Sequence, residues 1–445
     1  MSGITSDGSW SNWAGNQRST PVRVERPRNE ADVVALVKAA AADGRRVKVV
    51  GAGHSFTAIA RTDDVLVTLD DMGAVVGIDH DTGQVRVEAG ARLFNLNPQL
   101  HAAGLAMPNL GDIAYQSVAG AASTSTHGTG LGFASIAAGV VGMRLVAGDG
   151  TVVVLGPHDD PDLLEVARVG LGALGIVTEV TLQCVPAFNL HAVEEVLPAD
   201  DVLDSFDEMA ATTDHIEFFW MPHTDLAMRK RNTRTTDAPP PPRNRRHALR
   251  RRWKRFKNKE LMENAAFGAF NHIGRMAPSL IPRLNGLVAS EGDRAEYLTT
   301  SYEVFASPRR VRFYEMEYGV PAEHGIEALR RVMNLVQNLG RPISFPVEYR
   351  ILGPDQIPLS TSFDRATAYI AVHVFRRTPY EDYFRGVEEI MDDYGGRPHW
   401  GKLHYQTSDT LGGRYPQWYR FQAARRRLDP TGRFANDYLD RVLGT

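Results

Sequence analysis

Three separate stretches of the chain hold residues that could bind and polarise a hydroxylated substrate. Glu348 and Arg350 lie two positions apart in the run Val347–Ile351, and strand alternation would point both side chains to one face. His373 stands in the apolar run 370–374, and Lys402 ends the motif His-Trp-Gly-Lys. A carboxylate, two cations and an imidazole can orient hydroxyl groups and stabilise developing negative charge on oxygen.

A metal-dependent hydrolase is a remote alternative, with histidines as ligands. The candidates would be His127, His373, His399 and His404. His399 and His404 are five positions apart, and no H-E-x-x-H or carboxylate-paired spacing accompanies them. The sequence therefore predicts no metal site.

Three glycine-rich segments could together cradle a pyrophosphate. Residues 51–53 (Gly-Ala-Gly) follow a predicted strand, residues 120–132 are rich in glycine and hydroxyl groups, and residues 170–175 form a third turn. The third reads G-x-G-x-x-G, but a helical pattern precedes it and a strand pattern follows. That is the reverse of the order in a Rossmann dinucleotide-binding turn, so we interpret it as a different loop.

The elements around these segments predict an α+β domain. Asn29 can cap a helix with apolar positions Val33, Leu36, Val37 and Ala40, and Gly44 can end it. Further strands are predicted at 47–50, 65–69, 85–89 and 143–146, the last turning at residues 148–150 into a hairpin with residues 151–155.

The middle of the chain has a different character. A helix is predicted at 325–339, with strands at 312–320, 347–352 and 369–375. An excursion at 229–260 contains four consecutive prolines and then nine Arg or Lys within residues 243–257. A solvated loop is the default interpretation; docking on anionic lipid or on an acidic electron-acceptor protein are the alternatives. No nucleic-acid partner is predicted.

Composition indicates a globular protein. The chain has 445 residues, a formal net charge of −3 and one cysteine, Cys184, which we expect to be buried in a strand. Residues 1–20 are polar and lack a signal-peptide core, and no apolar run is long enough to span a membrane. We therefore expect a cytoplasmic protein, with peripheral membrane contact through residues 243–257 as the alternative.

Five segments carry a family resemblance, in the same order along the chain. Residues 50–56 (VGAGHSF), 116–120 (QSVAG), 126–130 (THGTG) and 172–178 (GALGIVT) resemble the FAD-binding domain of the vanillyl-alcohol oxidase flavoprotein family. Residues 399–402 (HWGK) are similar to the HWxK motif of its aldonolactone oxidoreductase branch. That branch includes gulonolactone and arabinonolactone oxidases and the bacterial alditol oxidases.

The resemblance implies an architecture and a cofactor. It implies a two-subdomain FAD-binding domain over 1–186, an α+β substrate (cap) domain over 187–395, and a C-terminal segment, 396–445, that returns to the active site. FAD would be bonded covalently to His54. The other implied cofactor-binding residues are Gly51, Ala52, Gly53, Ser55, Gly111, Asp112, Ser117, Gly120, Thr124, His127, Gly128, Gly175, Ile176 and Val177.

The resemblance also implies a reaction. It is the oxidation of a sugar-derived 1,4-lactone, L-gulono- or D-arabinono-, to an ascorbate-like product; an alditol or sugar oxidase is the close alternative. Electrons would pass to O2 or to a cytochrome or quinone. Lys402, Arg350, Glu348 and His373 would be catalytic, and Ser117, Glu315 and His399 would bind substrate.

Overall fold

The computed structural model describes residues 3–239, 267–288, 290–307 and 309–445, and their elements are numbered here in chain order. The strands are β1 Gly3–Ile4, β2 Trp10–Ser11, β3 Arg18–Ser19, β4 Arg23–Glu25, β5 Val47–Val50, β6 Val65–Thr68, β7 Val75–Asp79, β8 Gln84–Glu88, β9 Leu105–Ala106, β10 Val140–Val146, β11 Val152–Leu155, β12 Ile176–Gln183, β13 Val185–Pro186, β14 Asn189–Pro198, β15 His215–Trp220, β16 Leu226–Thr235, β17 Arg294–Thr300, β18 Phe313–Pro321, β19 Val347–Leu352, β20 Thr367–Phe375 and β21 Arg397–Pro398. The α-helices are α1 Glu30–Ala42, α2 Leu93–Ala102, α3 Val118–Ser123, α4 Pro161–Ala167, α5 Ala199–Asp204, α6 Phe206–Thr212, α7 Phe267–Met276, α8 Ile281–Val288, α9 Ser301–Phe305, α10 Gly325–Asn338, α11 Glu381–Asp392, α12 Ser408–Leu411, α13 Trp418–Leu428 and α14 Asp437–Leu443.

The first lobe is a three-stranded parallel sheet of order β4-β6-β5 with α1 packed against it. Asn29 caps α1 by accepting a hydrogen bond from the Asp32 N–H, which satisfies one of the free amides of the first turn. The helix buries the four apolar positions that its periodicity predicts. The chain leaves it through Gly44, whose φ of +66° suits glycine. The predicted helix and strand are confirmed here.

The second lobe is a five-stranded antiparallel sheet of order β11-β10-β12-β8-β7. The predicted hairpin is confirmed, with β10 and β11 paired antiparallel. The G-x-G-x-x-G segment follows α4 and precedes β12, which confirms that its context is not a Rossmann turn. Cys184 is buried as predicted, but it lies between β12 and β13 and not in a strand as expected. The two lobes together give the expected α+β arrangement.

The predicted cap range, 187–395, supplies seven strands of an eight-stranded sheet of order β17-β14-β16-β15-β19-β20-β18-β21, and the C-terminal segment supplies β21. Alternate residues of its central strands, such as Phe218, Met316, Tyr349 and Ile370, are buried in one apolar cluster with α5, α6, α10 and α11. Strand geometry sends the intervening residues to the opposite face. That second face carries the charged residues described below.

The proposed excursion begins later than expected. Residues 229–235 belong to β16, which pairs along its length with β14 and in part with β15. The sequence prediction was wrong for this stretch because its charges resemble those of a loop. In the sheet, Arg229 and Arg231 pair with Glu195, while Lys230 pairs with Glu217. Residues 243–257 lie outside the described residues.

The C-terminal segment packs into the first and second lobes. Trp400, Leu411, Phe421 and Tyr438 are buried in the same apolar cluster as the second lobe, and Phe434 is buried beside α1. Residues from the end of the chain therefore complete the apolar cores of the first and second lobes.

Among the helices of the described ranges, none combines the length and apolarity needed to cross a bilayer.

Candidate active site

The polar face of the cap sheet gathers charged residues from four strands. Glu315 and Glu317 come from β18, Glu348 and Arg350 from β19, and Glu217 from β15. The sheet register sets Arg350 directly opposite Glu217, and Glu315 directly opposite His373 of β20. All six side chains are largely buried. Adjacent strands therefore concentrate acids and bases on one wall.

Arg350 holds two of the carboxylates. Its Nε lies 2.7 Å from Glu217 Oε2, and its guanidinium also contacts Glu348. Lys230 Nζ approaches the other oxygen of Glu217 at 3.3 Å. Buried ion pairs of this kind keep their geometry only when each charge has a partner. This network fixes the positions of Glu348 and Arg350.

The His-Trp-Gly-Lys turn lies along β18. The His399 N–H donates to Glu317 O and the Leu403 N–H to Glu315 O, both at 2.9 Å. This brings Lys402 Nζ into contact with the Glu315 carboxylate and within 3.9 Å of Glu317 Oε2. The structure thus brings together the sequence-predicted Lys402, Glu315, Glu348, Arg350, His373 and His399.

Two further histidines face the carboxylates. His373 Nε2 lies 3.4 Å from Glu315 Oε1, and its Nδ1 lies 3.2 Å from the Pro346 carbonyl oxygen. His127 Nε2 lies 3.3 Å from Glu317 Oε1, while its Nδ1 is hydrogen-bonded to Gly128 O at 2.9 Å. The backbone carbonyls fix the orientation of both rings.

The cluster contains one carboxylate more than it has cations. Glu217, Glu315, Glu317 and Glu348 face Lys230, Arg350 and Lys402. Burial raises the pKa of Glu315, yet Lys402 and His373 outweigh it and hold that pKa at about 2. Burial, with Glu217 and Glu317 nearby, raises the pKa of Glu348 to about 6. Glu348 is therefore the carboxyl most ready to exchange a proton near neutral pH.

The tautomer of His399 speaks against metal binding by one of the two histidine–carboxylate clusters on this wall. His127, Glu317 and His399 offer ligand atoms within 4.8 Å of one another, as do Glu315, Glu348 and His373. However, His399 Nδ1 accepts the Gly401 N–H at 3.0 Å, and burial lowers its pKa to about 3. A neutral His399 then keeps its proton on Nε2 and has no free lone pair. His404 turns away and bonds to Tyr438.

A long cleft lies between the first lobe and the second. It contains about 1010 Å³ of space that no protein atom fills, part of it open to solvent. Ten predicted cofactor-binding residues line it: Gly51, Ala52, Gly53, His54, Ser55, Ser117, Gly120, Thr124, Gly175 and Val177.

The walls of this cleft fit FAD. A Cβ at Gly51 would collide with Ser117 Oγ, so only glycine lets the turn approach so closely. Trp10 lines the cleft and has a buried indole N–H with no hydrogen-bond partner among the described residues. Lys48 and Arg92 supply positive charge against a single lining carboxylate, Asp70. Small backbone turns, an unused donor and surplus positive charge suit an aromatic dinucleotide.

His54 lies where the cleft meets the charged wall. Its ring stacks on Trp13 at 5.4 Å and on Tyr115 at 6.1 Å between centroids. The next turn is tied to the His-Trp-Gly-Lys motif, because the Phe56 N–H donates to Gly401 O at 2.7 Å. Burial, with Lys402 and Arg92 adding to it, lowers the pKa of His54 to about 4. The imidazole is therefore neutral at physiological pH.

Other predicted cofactor residues lie elsewhere. His127 faces Glu317, Asp112 pairs with Arg309, and Ile176 is buried beside α1. A Cβ at Gly111 would meet the His127 carbonyl, and one at Gly128 would meet the Asn109 side chain. None of these five residues is among those that line the cleft.

Several residues of the site were missed by the sequence prediction. Glu217 and Lys48 each interrupt an apolar strand, and this interruption is a signal that could have found them. Strand alternation puts Glu317 on the same face as Glu315 in the sequence, but only Glu315 was predicted as a site residue. Trp10 and Trp13 lie in a polar stretch with no motif, so the sequence held no comparable signal for them.

Known proteins resemble this chain along nearly its whole length. Residues 180–442 match the D-arabinono-1,4-lactone oxidase family, and residues 21–156 match the FAD binding domain family. The chain is 46% identical to L-gulono-1,4-lactone dehydrogenase of Mycobacterium tuberculosis, over 98% of this chain and 99% of the relative. It is 31% identical to L-gulonolactone oxidase of Mus musculus over 97% of each, and 32% identical to alditol oxidase of a Streptomyces species over 97% and 98%.

Among solved structures, cholesterol oxidase from Brevibacterium sterolicum superposes with a TM-score of 0.79. The superposition covers 98% of this chain and 96% of that one, at 17% identity, and so concerns the fold alone. The sequence matches carry the family assignment, since they extend over both the cleft and the charged wall. The chain belongs to the D-arabinono-1,4-lactone oxidase family, within the aldonolactone branch of the FAD-linked vanillyl-alcohol oxidase flavoproteins.

Proposed function

We propose that the protein oxidises a sugar-derived 1,4-lactone, L-gulono- or D-arabinono-1,4-lactone, to an ascorbate-like product. The observation that carries this proposal is the position of Lys402. Its ammonium lies on a wall of buried carboxylates, and its turn is hydrogen-bonded to the segment that carries His54. The relatives named for gulonolactone and arabinonolactone support the substrate class.

The charged wall suits a substrate with several hydroxyl groups. Carboxylates such as Glu348 and Glu315 accept hydrogen bonds from hydroxyls, whereas Lys402 and Arg350 donate to oxygen atoms. Lys402 would polarise the oxygen of the carbon that is oxidised. Ser117 and His399, in the cleft and in the HWGK turn, would complete the substrate contacts. Charge and hydrogen bonding on this wall would set the specificity.

The residues that line the cleft would hold FAD, which supplies the hydride acceptor when it is bound. The chain must then manage the hydroxyl proton. Glu348, whose pKa burial raises to about 6, would hold it at a carboxylate oxygen. His373, next to Glu315, would orient the same hydroxyl. The proton and the hydride together account for the two hydrogens that the alcohol loses.

The substrate is tested by mixing the oxidised protein with candidate substrates in the absence of oxygen. We expect gulono- or arabinono-1,4-lactone to bleach the flavin absorbance at least about tenfold faster than galactono-1,4-lactone or an open-chain alditol. Product analysis should find the 2-keto lactone or its enediol. Faster bleaching by alditols than by any lactone would show that the protein is an alditol oxidase instead.

The electron acceptor can be read from the same experiment. The reduced protein is mixed with air or with cytochrome c, and the return of the oxidised flavin spectrum is timed.

O2, a cytochrome and a quinone are the predicted electron acceptors. Contact with a membrane through residues 243–257 is a further prediction. A cytoplasmic location also stays a prediction.

We also propose that FAD is joined to a ring nitrogen of His54 through its 8α carbon. A neutral imidazole keeps the lone pair that such a bond needs, and the low pKa of His54 supports this state. Stacking on Trp13 and Tyr115 holds the ring in place. Bond formation removes one hydrogen from the imidazole and one from the methyl group, and the two electrons leave to the electron acceptor.

Acid precipitation of the holoprotein tests this bond. The pellet should stay yellow after washing, and a tryptic flavopeptide should contain His54. In a His54→Ala variant the flavin should move to the supernatant, while the protein still binds FAD. A colourless pellet from the unaltered holoprotein would contradict the proposal.

A further inference from the structure

Lys48 is buried at the floor of the cofactor cleft. It interrupts the apolar strand β5, three residues before Gly51, and the residue is 2% exposed. Its Nζ donates to Gly172 O at 3.1 Å and to Phe434 O at 2.9 Å. A lysine ammonium has three N–H donors, so one remains for a group in the cleft that Lys48 lines.

No carboxylate among the described residues forms an ion pair with Lys48. Asp429 and Asp440 stabilise its charge from a distance, while Arg425 opposes it. Within the cleft, the single lining carboxylate, Asp70, is already paired with Arg92. Burial is the largest influence and lowers the pKa of Lys48 to about 7. The charge of this lysine is therefore poorly compensated by the protein itself.

An anionic ligand in the cleft would supply the missing compensation. FAD carries its negative charge on the diphosphate, between the flavin and the adenosine. We propose that Lys48 is the cation that receives this diphosphate, and that it couples cofactor binding to the uptake of a proton. Its other two hydrogen bonds reach the turn 170–175 and the C-terminal segment, so the bound diphosphate would be linked through Lys48 to both segments.

A purely structural role would look different. If Lys48 only tied Gly172 and Phe434 together, its loss would weaken every flavin that enters the cleft. If it receives the diphosphate, its loss would weaken FAD alone. Riboflavin has the same ring system as FAD and no phosphate, so a comparison of the two ligands separates these roles.

The test uses apoprotein that carries His54→Ala, so that loading is reversible, and measures flavin fluorescence quenching. Lys48→Met should raise the FAD dissociation constant by about 10- to 100-fold, the usual effect of losing a charged hydrogen bond, and change that of riboflavin by less than about threefold. Lys48→Arg should retain most of the FAD affinity. The exposed Lys38 on α1 provides the control: Lys38→Met should change neither.

A pH series on the same background keeps the proposal testable if Lys48→Met does not fold. Lys48 is largely neutral above about pH 7 without a ligand, so FAD affinity should fall by up to about tenfold per pH unit from there to about pH 9. Riboflavin affinity should stay flat. Equal losses for both flavins, or FAD affinity that depends on neither Lys48 nor pH, would overturn the proposal.

Discussion

Lys402→Ala should leave a protein that binds FAD but has lost most of its turnover. On the charged wall, Lys402 Nζ is the cation nearest Glu315. The Lys402 side chain is also 20% exposed, whereas the rest of the HWGK turn is buried. Removing a charged donor from the atom where negative charge develops costs about 10²- to 10³-fold in kcat. The measurement is stopped-flow flavin reduction by saturating lactone, with the flavin content of the purified variant determined from its spectrum.

A second variant separates charge from structure in this result. Lys402→Ala leaves Glu315 and Glu317 without their shared cation, which could disturb the wall by repulsion. Adding Glu315→Gln removes one negative charge and should restore thermal stability without restoring turnover. Turnover within about threefold of the unaltered protein in Lys402→Ala would refute its catalytic role.

Arg350→Met should be strongly destabilising as well as inactive. The guanidinium is the shared partner of Glu217 and Glu348, and all three side chains are buried. Breaking a buried ion network by removing one member costs about 3–5 kcal/mol, because the remaining charges lose their compensation. We expect the midpoint of urea unfolding, measured by tryptophan fluorescence, to shift to a lower urea concentration.

Arg330→Met is the matched control for this variant. Arg330 also pairs with two carboxylates, Asp200 and Asp204, but its side chain is 45% exposed. Exposed ion pairs contribute about 1 kcal/mol or less, so its unfolding midpoint should hardly move. The double variant Glu348→Gln with Arg350→Met should recover part of the lost stability. Similar midpoints for Arg330→Met and Arg350→Met would contradict the proposed network.

Local rules predicted much of the fold. Asn29, the four apolar positions of α1 and Gly44 were enough to predict the helix from the local sequence. Strand β19 has the bounds that its pattern predicts. The error at residues 229–235 has a tertiary cause, since Glu195 and Glu217 neutralise charges that look solvated in the sequence.

The candidate site was predictable where a motif exists. The resemblance supplied Lys402, Glu348, Arg350 and His373, and the structure gathers them on one wall. No motif predicts that Trp13 stacks on His54, because their contact depends on how the first residues fold back over the glycine turn. Lys48 could be seen as unusual, but only the fold shows what surrounds it.

The packing of residues 397–443 against the first lobes has a consequence for biosynthesis. Lys402 and Phe434 are translated after every strand of the two nucleotide-binding lobes, and Phe434 closes the core around α1. A ribosome-bound chain that lacks them has neither Lys402 nor the carbonyl that accepts a hydrogen bond from Lys48. On the roles proposed for these two lysines, the chain can oxidise its substrate only once translation is nearly finished.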